Sequence, residues 1–248
     1  MMESKVVLVT GAGKGIGRYI AHTFAQAGAK LALCDLEAPE KTADEIQDLG
    51  TEALAVKADV RNEDDVRSMM EQVVKRFGRI DVLVNNAGIV PHFNWGVQRW
   101  PKIRDMEQGF WQKVMGTNLG GTFTCTKHAI PYMEKQGSGH IINLHGGGSG
   151  PGAAPYVVSK DAIVVFTRFV AEEERDSNVC IVAIGPGSGG QGIAHEEAPE
   201  EARARMPGLD SIGNRFVVAA QAPMELSGKL LDVEDGKLVL SNRMQRNS

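Results

Sequence analysis

The chain has 248 residues, 42% of them apolar and 23% charged, which suits one α/β domain with a full core. Its net charge of −4 offers no basic field to a phosphate backbone, which argues against a nucleic-acid partner. Charges interrupt every apolar run before the roughly 18 residues a bilayer span needs, and no leader pattern opens the sequence, so neither membrane nor secretion is expected.

Strand-like and helix-like segments alternate from the start to about Gly187. Val6–Thr10, Lys30–Leu36, Leu54–Val60, Ile80–Asn85, His140–Leu144 and Val179–Gly185 are short, apolar and largely β-branched. Several are near-continuous apolar runs, the pattern of parallel strands covered on both faces. Between them, the helical stretch Pro39–Leu49 ends at Gly50 and Glu63–Phe77 ends at Gly78, glycines placed as C-caps. The alternation predicts an α/β fold: one doubly wound parallel sheet, the Rossmann architecture, in a single domain spanning 1–248. From 187 to about 210 the pattern gives way to Gly, Ala, Glu and Pro, which reads as a flap with a short helix at Pro199–Arg205. Lys229–Val233 reads as the last strand. Cys34, Cys125 and Cys180 are odd in number and far apart, which fits a reduced cytoplasm better than a disulfide framework.

The first strand runs into Thr10-Gly11-Ala12-Gly13-Lys14-Gly15-Ile16-Gly17 and then a helix. Glycines there permit a tight turn and close backbone approach to a pyrophosphate, and the helix N-terminus supplies free N–H groups. Gly11, Gly15 and Gly17 follow G-x-x-x-G-x-G. A P-loop is excluded because no Gly-Lys-Ser/Thr closes the segment. Asp35, with Leu36 after it, ends the second strand where an acidic side chain accepts from an adenosine ribose and repels a 2′-phosphate, favouring NAD over NADP. Lys14 would pull toward NADP, but a helix-start lysine facing solvent is the better account of it.

Downstream stand Asn85-Asn86-Ala87-Gly88, Asn118 before Leu-Gly-Gly, Tyr156-Val-Val-Ser-Lys160, Pro186-Gly187 and Leu226-Ser-Gly-Lys229. Together with the glycine loop, in this order, they resemble the short-chain dehydrogenase/reductase family in its single-domain form. The resemblance implies an NAD(H)-dependent oxidoreductase interconverting a secondary alcohol and a ketone of a small molecule. It implies Tyr156 as the proton donor and acceptor, Lys160 as the group that lowers the tyrosine's pKa and binds the nicotinamide ribose, and Asn118 as the holder of a relay water. The chemistry supports the pair: a free phenol titrates near ~10, a nearby ammonium favours phenolate, and residues four apart share a helix face. The resemblance also places Asp59 at the adenine amino group, with Val60 beside the ring. It lays Asn86, Ala87 and Gly88 along the cofactor, Asn86 serving alternatively as a tie between strands. Pro186, Gly187 and Ser188 fall at the nicotinamide end. A homotetramer or dimer, formed through the helices carrying Asn118 and Tyr156, is implied likewise.

Two departures stand out. The family's serine after the fifth strand has no counterpart: counting back thirteen from Tyr156 gives Asn143, inside the strand, and matching from the strand gives Gly146. His145 as substitute donor ranks first; Ser149 folding back on the glycines, or no replacement at all, are the alternatives. Gln191 stands where the family has a threonine touching the carboxamide, so that contact falls to Gln191 or Ser188. His92, Phe93, Trp95, Trp100 and Trp111 either wall a substrate pocket or pack the loop. The six histidines show no metal spacing, so no metal is expected. The rival functions are a dinucleotide-binding sensor or scaffold without turnover, which the missing serine favours, and a methyltransferase-like Rossmann protein, which leaves Tyr156 and Lys160 unexplained.

Overall fold

A computed structural model describes residues 2–90, 100–147, 152–187 and 210–241. In chain order these form β1 (Val6–Thr10), α1 (Gly15–Gln26), β2 (Lys30–Asp35), α2 (Glu40–Asp48), β3 (Ala53–Lys57), α3 (Glu63–Phe77) and β4 (Val82–Asn85). There follow α4 (Gln108–Met115), α5 (Gly121–Lys135), β5 (Gly139–Leu144), α6 (Ala154–Glu173), β6 (Val179–Ile184), α7 (Asp210–Ala219), β7 (Leu230–Glu234) and β8 (Lys237–Leu240). The strands make one sheet in the order β3-β2-β1-β4-β5-β6-β7-β8, parallel as far as β7. The order reverses direction between β1 and β4, and in such sheets ligands bind outside the carboxyl ends of the strands at that switch.

Alternation along the strands divides the core in two. Val7, Val9, Leu31 and Leu33 bury into the layer formed with Ile20 and Phe24 of α1 and Phe216 of α7. Val6, Leu8, Ala32 and Cys34 face Met69 and Met70 of α3 and Cys125, Ala129 and Met133 of α5. Both faces are covered, which is why these strands are apolar without interruption. Gly78 caps α3 in the left-handed region at φ 80°, and Gly50 follows α2 at φ 83°.

The differences from the sequence-based elements are local. β3 runs from Ala53 to Lys57 and leaves Asp59 and Val60 beyond its end. β4 begins at Val82, β2 ends at Asp35 and β6 at Ile184. The last strand gains an antiparallel partner, β8, through Asp235-Gly236, both at positive φ. Asp-Gly between two apolar runs is a hairpin signal that the sequence carries.

At the opposite end of the sheet, Asp81 is a buried carboxylate that knots β1 to β4. It accepts from Lys5 Nζ at 2.9 Å, from Arg79 Nε and Nη2 at 2.7 and 2.6 Å, and from the Val6 N–H at 3.0 Å. Burial works to raise its pKa, but the bonds from Arg79, Val6 and Lys5 outweigh it and hold the group below its ordinary value. A depressed native pKa stabilises the fold above the unfolded carboxylate range, and that stabilisation is lost as pH falls through the native value. Asp81→Asn should therefore cost about 2 kcal/mol at pH 7, its cationic partners being half exposed. In urea unfolding the gap from wild type should narrow steadily as pH falls below the ordinary carboxylate range and through the depressed native value; a gap that does not narrow with acid would refute the assignment.

Candidate active site

The loop between β1 and α1 is built around glycines that have no room for side chains. Gly11 sits at φ 67° and Gly15 at φ 56°, conformations costly for other residues. A Cβ on Gly11 would come within 2.9 Å of the Ala87 Cα, and one on Gly17 would overlap the Gly11 carbonyl. The loop is strutted from β4: Asn86 Nδ2 donates to the carbonyls of Thr10 at 2.8 Å and Gly11 at 3.1 Å. Thr10 Oγ1 in turn accepts from the N–H groups of Asn86 and Ala87 at 3.1 and 3.0 Å. Asn86 is thus a tie between strands at the same place where the chain passes the crevice. Gly13 donates its N–H to Asp35 Oδ2 at 2.9 Å, and a Cβ there would sit 2.9 Å from that oxygen. Leu36 N–H donates to Asp35 Oδ1 at 2.8 Å. The Asp35 carboxylate is therefore aimed by two backbone donors beside the loop. Ile16 is half-buried against the α1-side core, while Lys14 and the Leu36 side chain are exposed.

Asp59 is engaged by its neighbour. Arg61 Nε lies 2.9 and 3.0 Å from its two oxygens and Nη2 lies 2.5 Å away, and the Arg61 N–H adds a bond of 2.9 Å. These bonds, the side-chain ones foremost, hold the Asp59 pKa below its ordinary value. Val60 is buried against Gly121, where a Cβ would overlap it.

Asn118 is wholly buried in a π-turn, Gly116–Gly120, that joins α4 to α5. Such turns recur at functional sites because they shift the register of a helix face. Asn118 Oδ1 accepts from the Ile89 N–H at 2.7 Å; its Nδ2 donates to the Ile89 carbonyl at 3.1 Å and to Ser159 Oγ at 2.9 Å. Ser159 Oγ donates to the Tyr156 carbonyl at 2.7 Å. Both amide donors of Asn118 are used in tying the segment after β4 to α6. Its main-chain carbonyl accepts from Thr122 Oγ1 at 2.7 Å, so a relay water has only the remaining lone pairs of these oxygens. Gly88 lies under it, a Cβ there falling 3.2 Å from Asn118 Oδ1.

Tyr156 and Lys160 lie four apart on α6, as the sequence indicates. Lys160 Nζ donates to the Leu144 carbonyl at 2.8 Å, its one hydrogen-bond partner among the described residues, and sits 5.9 Å from the centre of the Tyr156 ring. Burial pushes the lysine down to about 8 and the tyrosine up to about 12. The lowering of the tyrosine expected from the lysine is therefore outweighed: desolvation of the phenol dominates and carries its pKa up.

Gly146 explains the missing serine in spatial terms. A Cβ at 146 would overlap the Tyr156 hydroxyl, so the phenol occupies the space that a side chain there would need. His145 is buried, with Nε2 3.4 Å from Asp161 Oδ1 on α6. Pro186 is buried at the end of β6, and Gly187, at φ 83°, carries the Arg215 guanidinium over its backbone, 2.8 Å from where a Cβ would stand. Trp100 packs edge-on against Phe110 of α4, ring centres 4.9 Å apart, which supports the packing reading for that ring. Ser149, Ser188, Gln191, His92, Phe93, Trp95 and the flap with its helix at 199–205 lie outside the described residues. Among the described residues no three His, Cys, Asp or Glu side chains gather to hold a metal, and no helix is long and apolar enough to cross a membrane.

Sequence reasoning passes over Ser159 and Asn143. Ser159 stands inside the Tyr-Val-Val-Ser-Lys run, and its place one residue before Lys160 is the available signal. Asn143 reads as part of a strand, although an asparagine in an otherwise apolar buried run is itself a signal that a partner is required.

Comparison with known proteins follows this geometry. The family model described as short chain dehydrogenase matches residues 5–202. The chain is 38% identical over 193 residues to a 3-oxoacyl-[acyl-carrier-protein] reductase of Staphylococcus aureus, covering 75% of each. It is 38% identical over 187 residues to L-fucose dehydrogenase of Bos taurus, covering 74% of this chain and 66% of that one. A crystal structure of NAD+-bound xylitol dehydrogenase superposes with a TM-score of 0.81 at 26% identity, covering 94% of this chain and 98% of that one. The chain belongs to the short-chain dehydrogenase family, and is an oxidoreductase acting on CH–OH groups. The residues present fit a nicotinamide dinucleotide: the glycine cradle would be filled by any side chain, and the buried Lys160 amine has donors to spare.

Proposed function

We propose that this enzyme uses NAD(H) in preference to NADP(H) to interconvert a secondary alcohol and a ketone on a small polar molecule such as a sugar, polyol or hydroxy acid. The observation that carries it is the Tyr156 hydroxyl, set against Gly146 without a hydrogen-bond partner among the described residues, one turn from the buried Lys160 amine. A group in that position is available to exchange a proton with a substrate oxygen. Bound NAD+ supplies the hydride acceptor. In the oxidative direction, Tyr156 takes the hydroxyl proton as its phenolate; in the reductive direction, the phenol gives its proton to the carbonyl oxygen. Lys160 would hold the nicotinamide ribose through the donors that Leu144 leaves unused. Gly11, Gly13, Lys14, Gly15, Ile16 and Gly17 would face the pyrophosphate, Asp35 and Leu36 the adenosine ribose, and Asp59 and Val60 the adenine. Asn86, Ala87, Gly88, Pro186, Gly187 and Ser188 would line the nicotinamide side. Asn118 acts on this reading by fixing Ile89 and α6. His145 ranks first as the donor in place of the serine, its Nε2 lying near Asp161 and its Nδ1 being the ring nitrogen that would serve.

Asp35 supports the choice of NAD, since a carboxylate already aimed by Gly13 and Leu36 would repel a 2′-phosphate. The buried Cys34, Cys125 and Cys180, none of them in a disulfide, favour a reducing compartment, the cytoplasm. Residues 1–248 are read as one domain, with the flap at 187–210 part of it.

NADH and NADPH titrations followed by tryptophan fluorescence, with xylitol and L-fucose oxidation read as NADH formation, test this reading. Wild type should prefer NADH. Tyr156→Phe should keep NADH binding and lose at least about 10²-fold in turnover, and oxidation should quicken as pH rises toward the raised tyrosine pKa. Tight binding without turnover on any alcohol would instead make the chain a sensor of the dinucleotide. Asp35→Ser should shift the preference toward NADPH by about tenfold, or 1.4 kcal/mol; an unchanged preference would remove Asp35 as the selector.

The outer faces of α5 and α6 leave Phe123, Val158, Val165 and Phe169 exposed, with Phe123 edge-on to Phe166 at 6.4 Å. We read this apolar face, in agreement with the family's habit of oligomerising, as the contact between copies of the chain, giving a dimer or tetramer. Phe169→Glu should lower the mass seen in sedimentation equilibrium; the same mass for variant and wild type would place the contact elsewhere.

A further inference from the structure

The end of β5 and the residue after it address α6 through three consecutive residues. Asn143 Nδ2 donates to Thr167 Oγ1 at 2.9 Å, the Leu144 carbonyl accepts from Lys160 Nζ at 2.8 Å, and His145 Nε2 lies 3.4 Å from Asp161 Oδ1. The first of these is the most enclosed, since Asn143 and Thr167 are both fully buried. It also has a fixed direction. Thr167 gives its single proton to the Ile163 carbonyl at 2.8 Å, so its oxygen must accept from Asn143. The Asn143 amide is thereby oriented, and its Oδ1 accepts from Asn85 Nδ2 at 2.8 Å, which also donates to Thr126 Oγ1 at 3.1 Å. Asn85 and Asn143 are register partners in the β4–β5 ladder. Turning over one amide alone would bring like atoms together, so the two asparagines are oriented as a pair, linking β4 through β5 to α6.

Thr167 lies seven residues beyond Lys160, two turns on and on the same face, about 10 Å along the helix. α6 is consequently pinned to neighbouring residues of one strand at two places, and the second, Lys160 on the Leu144 carbonyl, belongs to the active site. We propose that Asn143 is a positioning residue that, through Thr167, fixes the roll and advance of α6 and so holds the Lys160 amine at its place beside Tyr156. The inference rests on the reading of Lys160 given above. Asn143 touches neither substrate nor cofactor on this account, and its effect passes through the helix.

The test uses the full-length protein and needs no known substrate. Lysine labelled with 13C at Cε is followed by NMR across pH in the absence of cofactor, the Lys160 signal being assigned with Lys160→Met. NADH affinity is measured by fluorescence and Tm by circular dichroism. Thr167→Val keeps the β-branched shape and removes the hydroxyl; Thr167→Ser keeps the hydroxyl, and Thr167→Ala replaces the valine variant should that one fail to fold. The hydroxyl-free variant should move the Lys160 midpoint from its buried value back toward that of an ordinary lysine and weaken NADH binding about tenfold or more, displacement of a binding group by around 1 Å being enough. Thr167→Ser should restore both. An unchanged Lys160 midpoint and NADH affinity alongside a lowered Tm would overturn the proposal, leaving Asn143 and Thr167 as fold stabilisers only. Lys160→Met that binds NADH as wild type does would instead remove the parent reading of Lys160, whatever the Thr167 variants show.

Discussion

The Lys160 amine lies where an ammonium is costly, and the fold has accommodated it with one hydrogen bond among the described residues, to the carbonyl of Leu144. Burial of that kind shifts a lysine toward its neutral form and makes its remaining hydrogen-bonding capacity strong, because no water competes for it. A group so placed must be held by the backbone around it. Leu144 is the last residue of β5, the sixth residue of a strand laddered on both sides to β4 and β6. Rigid strands on either side make its carbonyl a fixed point, and α6 is docked on it.

The crevice beside that point depends on contacts between segments that the sequence separates widely. β1 and β4 are adjacent only because the chain crosses over at the switch of the sheet, and it is there that Thr10, Asn86 and the glycines lock together. Asn118 repeats the device on the other side, pairing through its side chain with both backbone groups of Ile89. One asparagine thus steadies the loop after β1 and another steadies the loop after β4. Both consume their amides in doing so. Their value to the site lies in rigidity, since a binding group displaced by an ångström loses much of its effect.

The fold is legible in the sequence because the central strands are buried on both faces and therefore apolar throughout, and because Gly50 and Gly78 mark where helices stop. β8 escapes a sequence reading although Asp235-Gly236 stands before it, since four residues with a lysine among them give too short a pattern to stand out. The site is legible as a set of residues but not as a balance of forces. Tyr-x-x-x-Lys tells that two side chains share a face; it does not tell how deeply each is buried, and burial is what carries the phenol up and the amine down. Ser159 and Asn143 escape for a related reason. A hydroxyl or amide in a sequence has no direction, and only the packing of α6 on β5 and on the π-turn turns these two inward.

Gly146 then takes on a meaning that sequence matching alone does not give it. A serine missing from its usual place suggests one hydrogen-bond donor fewer at the substrate oxygen, and removing one donor to a developing oxyanion commonly costs roughly 10²–10³ in rate. In space, however, the vacated volume is filled by the Tyr156 hydroxyl, which a Cβ at 146 would exclude. The glycine and the tyrosine position are therefore coupled: reintroducing a side chain at 146 means moving the phenol, and with it the proton it holds. On the proposed reading the substrate oxygen meets a single protein hydroxyl instead of two, with His145 as its other donor. That hydroxyl alone exchanges the proton, and His145 lies against Asp161 of the same helix, so both depend on the seating of α6.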